Sequence, residues 1–179
     1  RDNFLKMVRE GYYDSLLVHR VIYGFMIQMG DPDSRNATPG QHLGSGKPKH
    51  TVPAEIRFPK LFHRRGALSM AREPDEVNPE RASSGSQFFI VTGRPYMPQE
   101  LKPIEARVSA ATDGEIVYTD KVRGVYEDYG GAPHLDGQYT VFGHVVEGMR
   151  TITDIQMMPT DKNDRPTDDI RIIRATIIE

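Results

Sequence analysis

The chain has 179 residues, of which 37% are hydrophobic and 27% charged, with a formal net charge of -2 and no cysteine. These values are typical of one soluble globular domain, and they exclude disulfides, thiolate chemistry and the strongly basic surface of a nucleic-acid-binding protein. Because no apolar run of about eighteen residues is present, the sequence also excludes a membrane-spanning helix.

The first part of the chain predicts one helix followed by two strands. Residues 2–11 predict an amphipathic helix, because their apolar side chains recur at three- and four-residue spacing. Residues 16–22 and 25–29 are rich in apolar residues and predict strands, with a turn at 23–24 between them. Residues 30–49 carry Gly, Pro, Asp, Ser and Asn throughout, which predicts a loop.

The remaining segments predict more strands than helices. Short strands are expected at 66–70, 87–91 and 140–145, and a second helix at 151–157. Residues 170–178 alternate branched apolar residues with Arg and Thr and give the clearest strand pattern in the chain. Because these strands do not alternate regularly with helices, we expect a mainly β fold, an antiparallel sheet or barrel with two helices.

Residues 94–133 do not match this pattern. They hold a helix-like piece around 98–110, with Leu101, Ile104 and Val108 on one face, and then a polar stretch that ends in a Gly-Gly pair. We interpret the region as an insertion that consists of a helix and a hairpin. It belongs to a single domain that spans residues 1–179. The alternative is that these residues form an ordinary part of the core.

Four motifs occur in an order and spacing that resemble the cyclophilins, a family of peptidyl-prolyl cis/trans isomerases. They are His19-Arg20-Val21-Ile22 with Gly24-Phe25-Met26-Ile27-Gln28-Met29-Gly30-Asp31, then Gly66-Ala67-Leu68-Ser69-Met70-Ala71, then Ser84-Gly85-Ser86-Gln87-Phe88-Phe89-Ile90, and finally Leu135-Asp136-Gly137 with Val141-Phe142-Gly143 and Val145-Val146-Glu147-Gly148-Met149. Residues 2–93 and 134–179 carry this resemblance. It identifies the chain as similar to a family of enzymes that rotate the peptide bond before proline.

The resemblance implies a closed antiparallel barrel of eight strands, capped by two helices, with residues 2–11 as the first cap. Two barrel strands precede that helix in cyclophilins, and they are absent here. We therefore expect the chain to be a fragment, or its first strands to come from another chain or another part of this one. A substitute hairpin from residues 111–130 is a further alternative.

The resemblance also assigns a catalytic role to Arg20. Rotation about an X-Pro bond has a barrier of roughly 18–20 kcal/mol, and an isomerase must bind the twisted amide more tightly than either planar form. The twisted prolyl nitrogen is basic, and a fixed cation that donates a hydrogen bond to it stabilises that state. Arginine stays charged and offers a planar fork of donors. The alternative is an arginine that reaches from a strand to a surface carboxylate.

Other residues resemble the family's substrate groove. Phe25, Met26, Phe89 and Leu135 resemble its proline pocket, for which apolar side chains are suited, and the alternative is that these four are plain core residues. Gln28 is expected to hold Arg20 and contact the substrate backbone, unless it faces solvent. Three further positions resemble groove residues: Ala71, Arg72 and Gln87. Ala71 is expected to bond the peptide through its backbone. Arg72, which replaces the family's usual Asn, is expected to make the groove more positive.

Two groove positions depart from many members of the family. His134 stands where many eukaryotic cyclophilins have a tryptophan that binds cyclosporin, so the resemblance implies weak binding of that drug. Tyr139 stands where many members have His, and its hydroxyl can still donate a hydrogen bond in the pocket. Tyr139 and the insertion resemble bacterial members, which leaves the compartment open between the bacterial cytoplasm and periplasm.

The sequence gives no sign of a cofactor or a metal. His42, His50 and His63 have no metal-ligand spacing, which favours solvated loop histidines. An acidic patch near the C-terminus lacks the Gly and Glu of a calcium loop and predicts a turn: Asp161, Asp164, Asp168 and Asp169. No pairing of a nucleophile with a base emerges, which argues against a hydrolase.

We therefore expect an isomerase that assists protein folding. Its partners are proline-containing peptides and unfolded or folding proteins, with no nucleic acid and no membrane span. The competing hypothesis is a binding module that grips proline-containing segments without turnover. The presence of Arg20 together with Phe25, Gln28 and Phe89 favours the enzyme.

Overall fold

The computed structural model describes residues 1–46 and 50–178, and strands outnumber α-helices in this part of the chain, as predicted. The helices are α1 (Asp2–Arg9), α2 (Pro98–Ala111), α3 (Asp120–Asp128) and α4 (Met149–Gln156). The strands are β1 (Val18–Ile22), β2 (Met26–Met29), β3 (Thr51–Val52), β4 (Ala67–Met70), β5 (Ser83–Ser84), β6 (Phe88–Val91) and β7 (Val141–His144). Two short 3-10 helices span Pro32–Asn36 and Pro133–Leu135.

Five of the strands form one antiparallel sheet, in the order β1-β2-β6-β4-β7, and β3 pairs with β5. The mainly β, antiparallel architecture with helices is therefore confirmed. Among the described residues the larger sheet is open, with β1 and β7 at its two ends, so the closed eight-stranded barrel is not seen there.

The two faces of the sheet pack differently because side chains alternate along each strand. Ile27 and Met29 of β2, with Phe88 and Ile90 of β6, point to one face and form the main core. Residues of α1 and α4 cover that face, including Met7 and Val8 and the partly buried Ile152 and Ile155. Both helices lie where the sequence predicted helices, and the core lies between them and the sheet.

The opposite face carries a second apolar cluster. Met26, Phe89, Val91, Ala67 and Val141 alternate with the core residues and point to this side. Leu135, the last residue of the second 3-10 helix, and Tyr139, which follows it, pack against them. This second cluster contains most of the residues that the resemblance assigned to the proline pocket.

The insertion is helical along most of its length. The predicted helix at 98–110 is confirmed as α2, but the predicted hairpin, and with it the substitute hairpin at 111–130, is wrong because Asp120–Asp128 forms α3. The two helices enclose a third cluster that also takes in Phe58 and Phe62 of the main domain: Leu101, Val108, Ile116, Tyr118, Val122 and Tyr126.

The strand predicted at 170–178 is also not formed. Residues 170–172 run beside the start of β1, where Val18 N donates to Ile170 O at 2.8 Å and Ile172 N donates to Leu16 O at 2.9 Å. Beyond them the backbone N–H of Ala175 donates to the side chain of Asp14 rather than to a strand, and Ile173 is exposed. Apolar and polar residues do alternate here, but a strand needs a partner strand along its whole length. The described chain provides such a partner for residues 170–172 only.

The loop predicted at 30–49 is confirmed for residues 30–46, apart from the 3-10 helix at its start, and residues 47–49 lie outside the described part. Asp31, fully buried, accepts from Asp33 N at 2.8 Å and also from Gly44 N, which ties the two ends of the loop together. No helix in the described ranges is long and apolar enough to span a membrane.

Candidate active site

A row of side chains crosses the sheet face opposite the core. Cα pairing aligns Arg20 of β1 with Gln28 of β2, and Gln28 with Phe89 of β6. Directly paired residues in an antiparallel sheet point to the same face. A cation, an amide and an aromatic ring from sequence positions far apart are therefore brought side by side.

Aromatic rings and apolar side chains continue this row into a pocket wall. Phe89 and Tyr139 pack edge to face with centroids 6.1 Å apart, and Phe25 lies 5.1 Å from the ring of His134. Phe89 is buried, whereas Phe25 and Tyr139 are half-buried and His134 is exposed. Met26 and Leu135 are buried in the same cluster. The four predicted pocket residues are thus together on one face, with partly exposed rings beside them.

Among the described residues, Arg20 is held through its Nε alone. Its Nε donates to Asp164 Oδ2 at 3.4 Å, with each side chain a little under half exposed. Within the described ranges neither terminal nitrogen of the guanidinium has a hydrogen-bond partner. The backbone at Asp164 is itself anchored, because Val21 N donates to Asp164 O at 2.8 Å. The guanidinium is therefore oriented, while two of its donors stay available.

Gln28 bonds Gln87 instead of Arg20, which corrects the expected contact. Gln28 Nε2 donates to Gln87 Oε1 at 3.0 Å. Gln87 Nε2 in turn donates to the carbonyls of Gly44 and Gly46, at 3.0 and 2.8 Å. The sequence could not show this, because the partner amide lies on another strand. The two glutamines are fixed by the loop that Asp31 closes.

The backbone donor expected at Ala71 is already occupied. Ala71 N donates to Gln87 O at 3.0 Å, and Ala71 O accepts from Ser84 N at 2.8 Å. The next residue differs, since neither the N–H nor the C=O of Arg72 bonds another described residue. The free backbone pair at this edge therefore belongs to Arg72, one position further along than expected.

The Arg72 side chain does not make the groove more positive, contrary to expectation. It is 3% exposed and forms an ion pair with Asp75, which cancels its charge locally. Its Nε donates to Gln138 O at 2.9 Å, and its guanidinium lies 4.4 Å from the centre of the Tyr139 ring. Arg72 therefore packs behind Tyr139 and holds it by a cation–π contact.

A cavity of about 280 Å³ opens between the glutamine pair and Arg72. Part of its wall comes from residues that sequence reasoning missed, among them Val77, Asn78 and Ala82 in the loop after β4. That loop is pinned by Asn78, whose side chain donates to Ala82 O and accepts from Ala82 N at 2.9 and 3.0 Å. The loop is polar and has no periodic pattern, so no sequence signal marked it.

A buried hydrogen-bond chain lies behind the pocket and was also missed. His63 Nδ1 is 2.8 Å from Asp136 Oδ1, and His63 Nε2 is 3.0 Å from Ser69 Oγ. The order of contacts matches that of a serine hydrolase. However, all three residues are at most 1% exposed, and Ser69 Oγ also donates to Thr140 O at 3.0 Å. No substrate reaches such a serine, so the chain of contacts is structural.

His63 is therefore a buried residue rather than the solvated loop histidine that the sequence suggested. In the described ranges no group of three or more His, Cys, Asp or Glu side chains is arranged to hold a metal ion. The acidic patch near the C-terminus forms a turn at its first two members, where Asp164 N donates to Asp161 O at 3.1 Å.

Comparisons with known proteins agree on one family. The family model described as cyclophilin type peptidyl-prolyl cis-trans isomerase/CLD matches residues 1–177. A Staphylococcus saprophyticus protein whose name contains peptidyl-prolyl cis-trans isomerase is 35% identical over 179 residues, which cover 99% of this chain and 80% of that protein. The Arabidopsis thaliana peptidyl-prolyl cis-trans isomerase CYP71 is 35% identical over 176 residues, 98% of this chain and 20% of that protein.

A solved structure gives the same result for the fold. It is a Cryptosporidium parvum cyclophilin type peptidyl-prolyl cis-trans isomerase, crystallised in the presence of the dipeptide Ala-Pro. Its TM-score is 0.62 at 28% sequence identity, and the match covers 99% of this chain and 84% of that chain.

Proposed function

The chain belongs to the cyclophilin-type peptidyl-prolyl cis-trans isomerase family, and from that membership we propose that Arg20 stabilises the twisted X-Pro amide above an apolar proline pocket. The reaction is cis/trans isomerisation of X-Pro bonds in peptides and in proteins that are folding. The observation that carries the residue assignment is the in-register row of Arg20, Gln28 and Phe89 on the sheet face opposite the main core.

The row of Arg20, Gln28 and Phe89 supports different roles for its two ends, one in binding proline and one in stabilising the twisted amide. The proline ring would lie against the rings of Phe89, Phe25 and Tyr139, which exclude water and fix its position. The free terminal nitrogens of Arg20 would then donate to the prolyl nitrogen, which accepts a hydrogen bond only when the amide is twisted and its conjugation is lost. No proton has to be transferred, because rotation forms and breaks no bond.

The rest of the groove would hold the peptide on the amino-terminal side of proline. We propose that the free backbone N–H and C=O of Arg72 pair with an extended substrate, next to Ala71 and the amides of Gln28 and Gln87. The cavity of about 280 Å³ beside them would take a substrate side chain. It is bordered by Val77 as well as by polar groups, so it suits a side chain of mixed character.

Two finer expectations also remain proposals. We infer that the open sheet is part of a closed eight-stranded barrel with two helical caps, because β1 and β7 each have one edge without a full partner strand among the described residues. We also propose that residues 1–179 are a single domain with an insertion at 94–133, supported by the separate apolar cluster of α2 and α3.

The test is steady-state isomerisation of an Ala-Pro peptide by the parent and by Phe25→Ala. Phe25 is only half-buried, so its removal leaves the core in place. We expect the parent to accelerate isomerisation and the variant to raise KM by about tenfold, or about 1.4 kcal/mol. Arg9→Ala, an exposed change on α1, is the control and keeps the parent's constants. A parent that binds the peptide without accelerating rotation contradicts the proposal and favours the binding module.

A further inference from the structure

Side chains of the insertion reach the main domain at the buried carboxylate of Asp136. Tyr118 and Tyr126 are both buried in the insertion's apolar cluster. The Tyr126 hydroxyl donates to Asp136 Oδ2 at 2.6 Å, and the Tyr118 hydroxyl lies 2.8 Å from both Asp136 Oδ2 and the Pro133 carbonyl oxygen. Asp136 Oδ1 accepts from the backbone N–H of His63 at 2.9 Å and faces His63 Nδ1 at 2.8 Å. A carboxylate has about four lone-pair sites, and four polar groups converge on them here.

Both tyrosines are fixed as donors. Burial and the neighbouring Asp136 carboxylate raise the pKa of Tyr118 and of Tyr126 above that of an ordinary tyrosine. Their rings stack with centroids 5.8 Å apart, and Phe58 and Phe62 pack against them. The insertion therefore presents two hydroxyls to Asp136, and their rings are held in a cluster to which Phe58 and Phe62 of the main domain contribute.

Asp136 belongs to the segment that forms one side of the proposed proline pocket. Leu135 precedes it, and Tyr139 follows three residues later. Between them Gly137 has a φ of +74°, and a Cβ there would lie 2.6 Å from Ile116 and 2.7 Å from Thr112 of the insertion. The segment that carries two pocket residues thus passes directly against the insertion, at a distance that only glycine allows.

His63 extends the contact to the other side of the pocket. Its ring lies nearly parallel to Phe89, with centroids 6.3 Å apart, and meets Tyr139 edge to face at 6.4 Å. Its Nε2 reaches Ser69, which is aligned with Phe89 across the sheet. A shift of Asp136 would therefore move Phe89 and Tyr139, two of the rings that would contact the proline.

We propose that Tyr118 and Tyr126 are positioning residues for isomerisation, which set the shape of the proline pocket by fixing Asp136. The proposal rests on the proposed function, because it takes Phe89 and Tyr139 as the pocket. It gives the insertion a role in substrate affinity. The pocket binds proline in the planar and the twisted state alike, so its loosening raises KM, whereas the cation at Arg20 acts on kcat.

The experiment compares Tyr126→Phe and Tyr118→Phe with Tyr96→Phe. Tyr96 packs on the same cluster, but its hydroxyl bonds no described residue, so its variant is a matched control. We expect Tyr126→Phe to raise KM for an Ala-Pro peptide by about fivefold, with kcat changed by less than about twofold. The backbone amide NMR signals of Leu135 and Tyr139 shift in Tyr126→Phe and keep their parent positions in Tyr96→Phe.

The proposal is overturned if Tyr126→Phe and Tyr118→Phe lower the melting temperature but leave KM and both amide signals as in Tyr96→Phe. Tyr118→Phe keeps the bond from Tyr126, so it serves as the test should Tyr126→Phe not fold. The amide signals need no turnover. A parent without isomerase activity would therefore reject the proposed function, while the signals still decide whether the insertion controls the pocket segment.

Discussion

His19, the neighbour of the proposed catalytic arginine, is buried. It is 2% exposed, and neither ring nitrogen bonds another described group. Burial lowers the pKa of His19 from 6.5 to about 4, against a smaller opposing effect of Asp31. The ring is therefore neutral at physiological pH, so the positive charge of Arg20 has no second cation directly beside it in β1.

This burial predicts a pH-dependent stability. Between pH 6.5 and about 4 the unfolded chain binds a proton at His19 and the folded chain does not, so the free energy of unfolding falls as the pH falls through that window. The contribution is about 3 kcal/mol across the window, and it is zero above the window. Urea unfolding of the parent and of His19→Leu at several pH values measures it. Parallel pH profiles for the two proteins would contradict the assignment.

His134 predicts a weak response to cyclosporin. Its ring lies 5.1 Å from Phe25 at the exposed end of the pocket, and it offers less apolar surface than the tryptophan of many eukaryotic relatives. We expect His134→Trp to bind the drug more tightly than the parent, on the order of tenfold, since the indole buries more area. Titration calorimetry of both proteins checks this, and equal affinities would show that the position does not govern drug binding.

At the scale of elements, the sequence predicted those whose pattern is local. Helices α1 and α4 and strands β1, β2, β4, β6 and β7 follow the apolar periodicity of their own residues. Helix α3 was missed because it contains Gly124 and buries only Val122 and Tyr126, on a face that exists through packing against α2, Phe58 and Phe62. The prediction of a strand at 170–178 was wrong for the converse reason. The alternating pattern is local, but the formation of a strand depends on a partner strand from another part of the chain.

The same distinction applies to the site. Arg20, Gln28 and Phe89 were identified through motifs, and sheet register explains why they are adjacent. The contact of His63 with Asp136 joins residues 73 positions apart, and that of Gln28 with Gln87 joins residues 59 apart. Such contacts depend on the complete packing of the chain, so no local pattern in the sequence indicates them.

Helix α3 depends on the residue that caps its N-terminus. Thr119 caps it, with the side-chain hydroxyl accepting from Val122 N at 3.3 Å. We expect Thr119→Ala to lower the free energy of unfolding by about 1 kcal/mol. Thr119→Ser keeps a capping hydroxyl, so it should retain most of the contribution of the cap. Hydrogen exchange should accelerate in α3 and stay unchanged in α1. Equal protection in the alanine and serine variants would show that the cap does not hold the helix.

On the scale of the whole molecule, stability comes from the core between the sheet and helices α1 and α4. Ile27 at its centre is fully buried, whereas Ile173 in the C-terminal segment is 90% exposed. The site lies on the other side of the same sheet, so the core supports the strands that align Arg20, Gln28 and Phe89. The insertion adds a second point of support behind the pocket.

This arrangement predicts that two similar substitutions change the free energy of unfolding by very different amounts. Ile27→Ala should lower the free energy of unfolding by about 2–5 kcal/mol, since it leaves a cavity in a closely packed core. Ile173→Ala should change it by less than about 0.5 kcal/mol. Chemical denaturation of the three proteins measures both. A large loss for Ile173→Ala would contradict the exposed position of this side chain.

The most direct test of the central claim is exchange NMR on a short X-Pro peptide at saturation, with the parent and with Arg20→Ala. We predict rapid cis/trans exchange with the parent and a decrease of at least about tenfold in the variant, or about 1.4 kcal/mol of barrier, while the peptide stays bound. Arg9→Ala should behave as the parent. Exchange in Arg20→Ala as fast as in the parent, with peptide still bound, would contradict the role of Arg20 in stabilising the twisted amide.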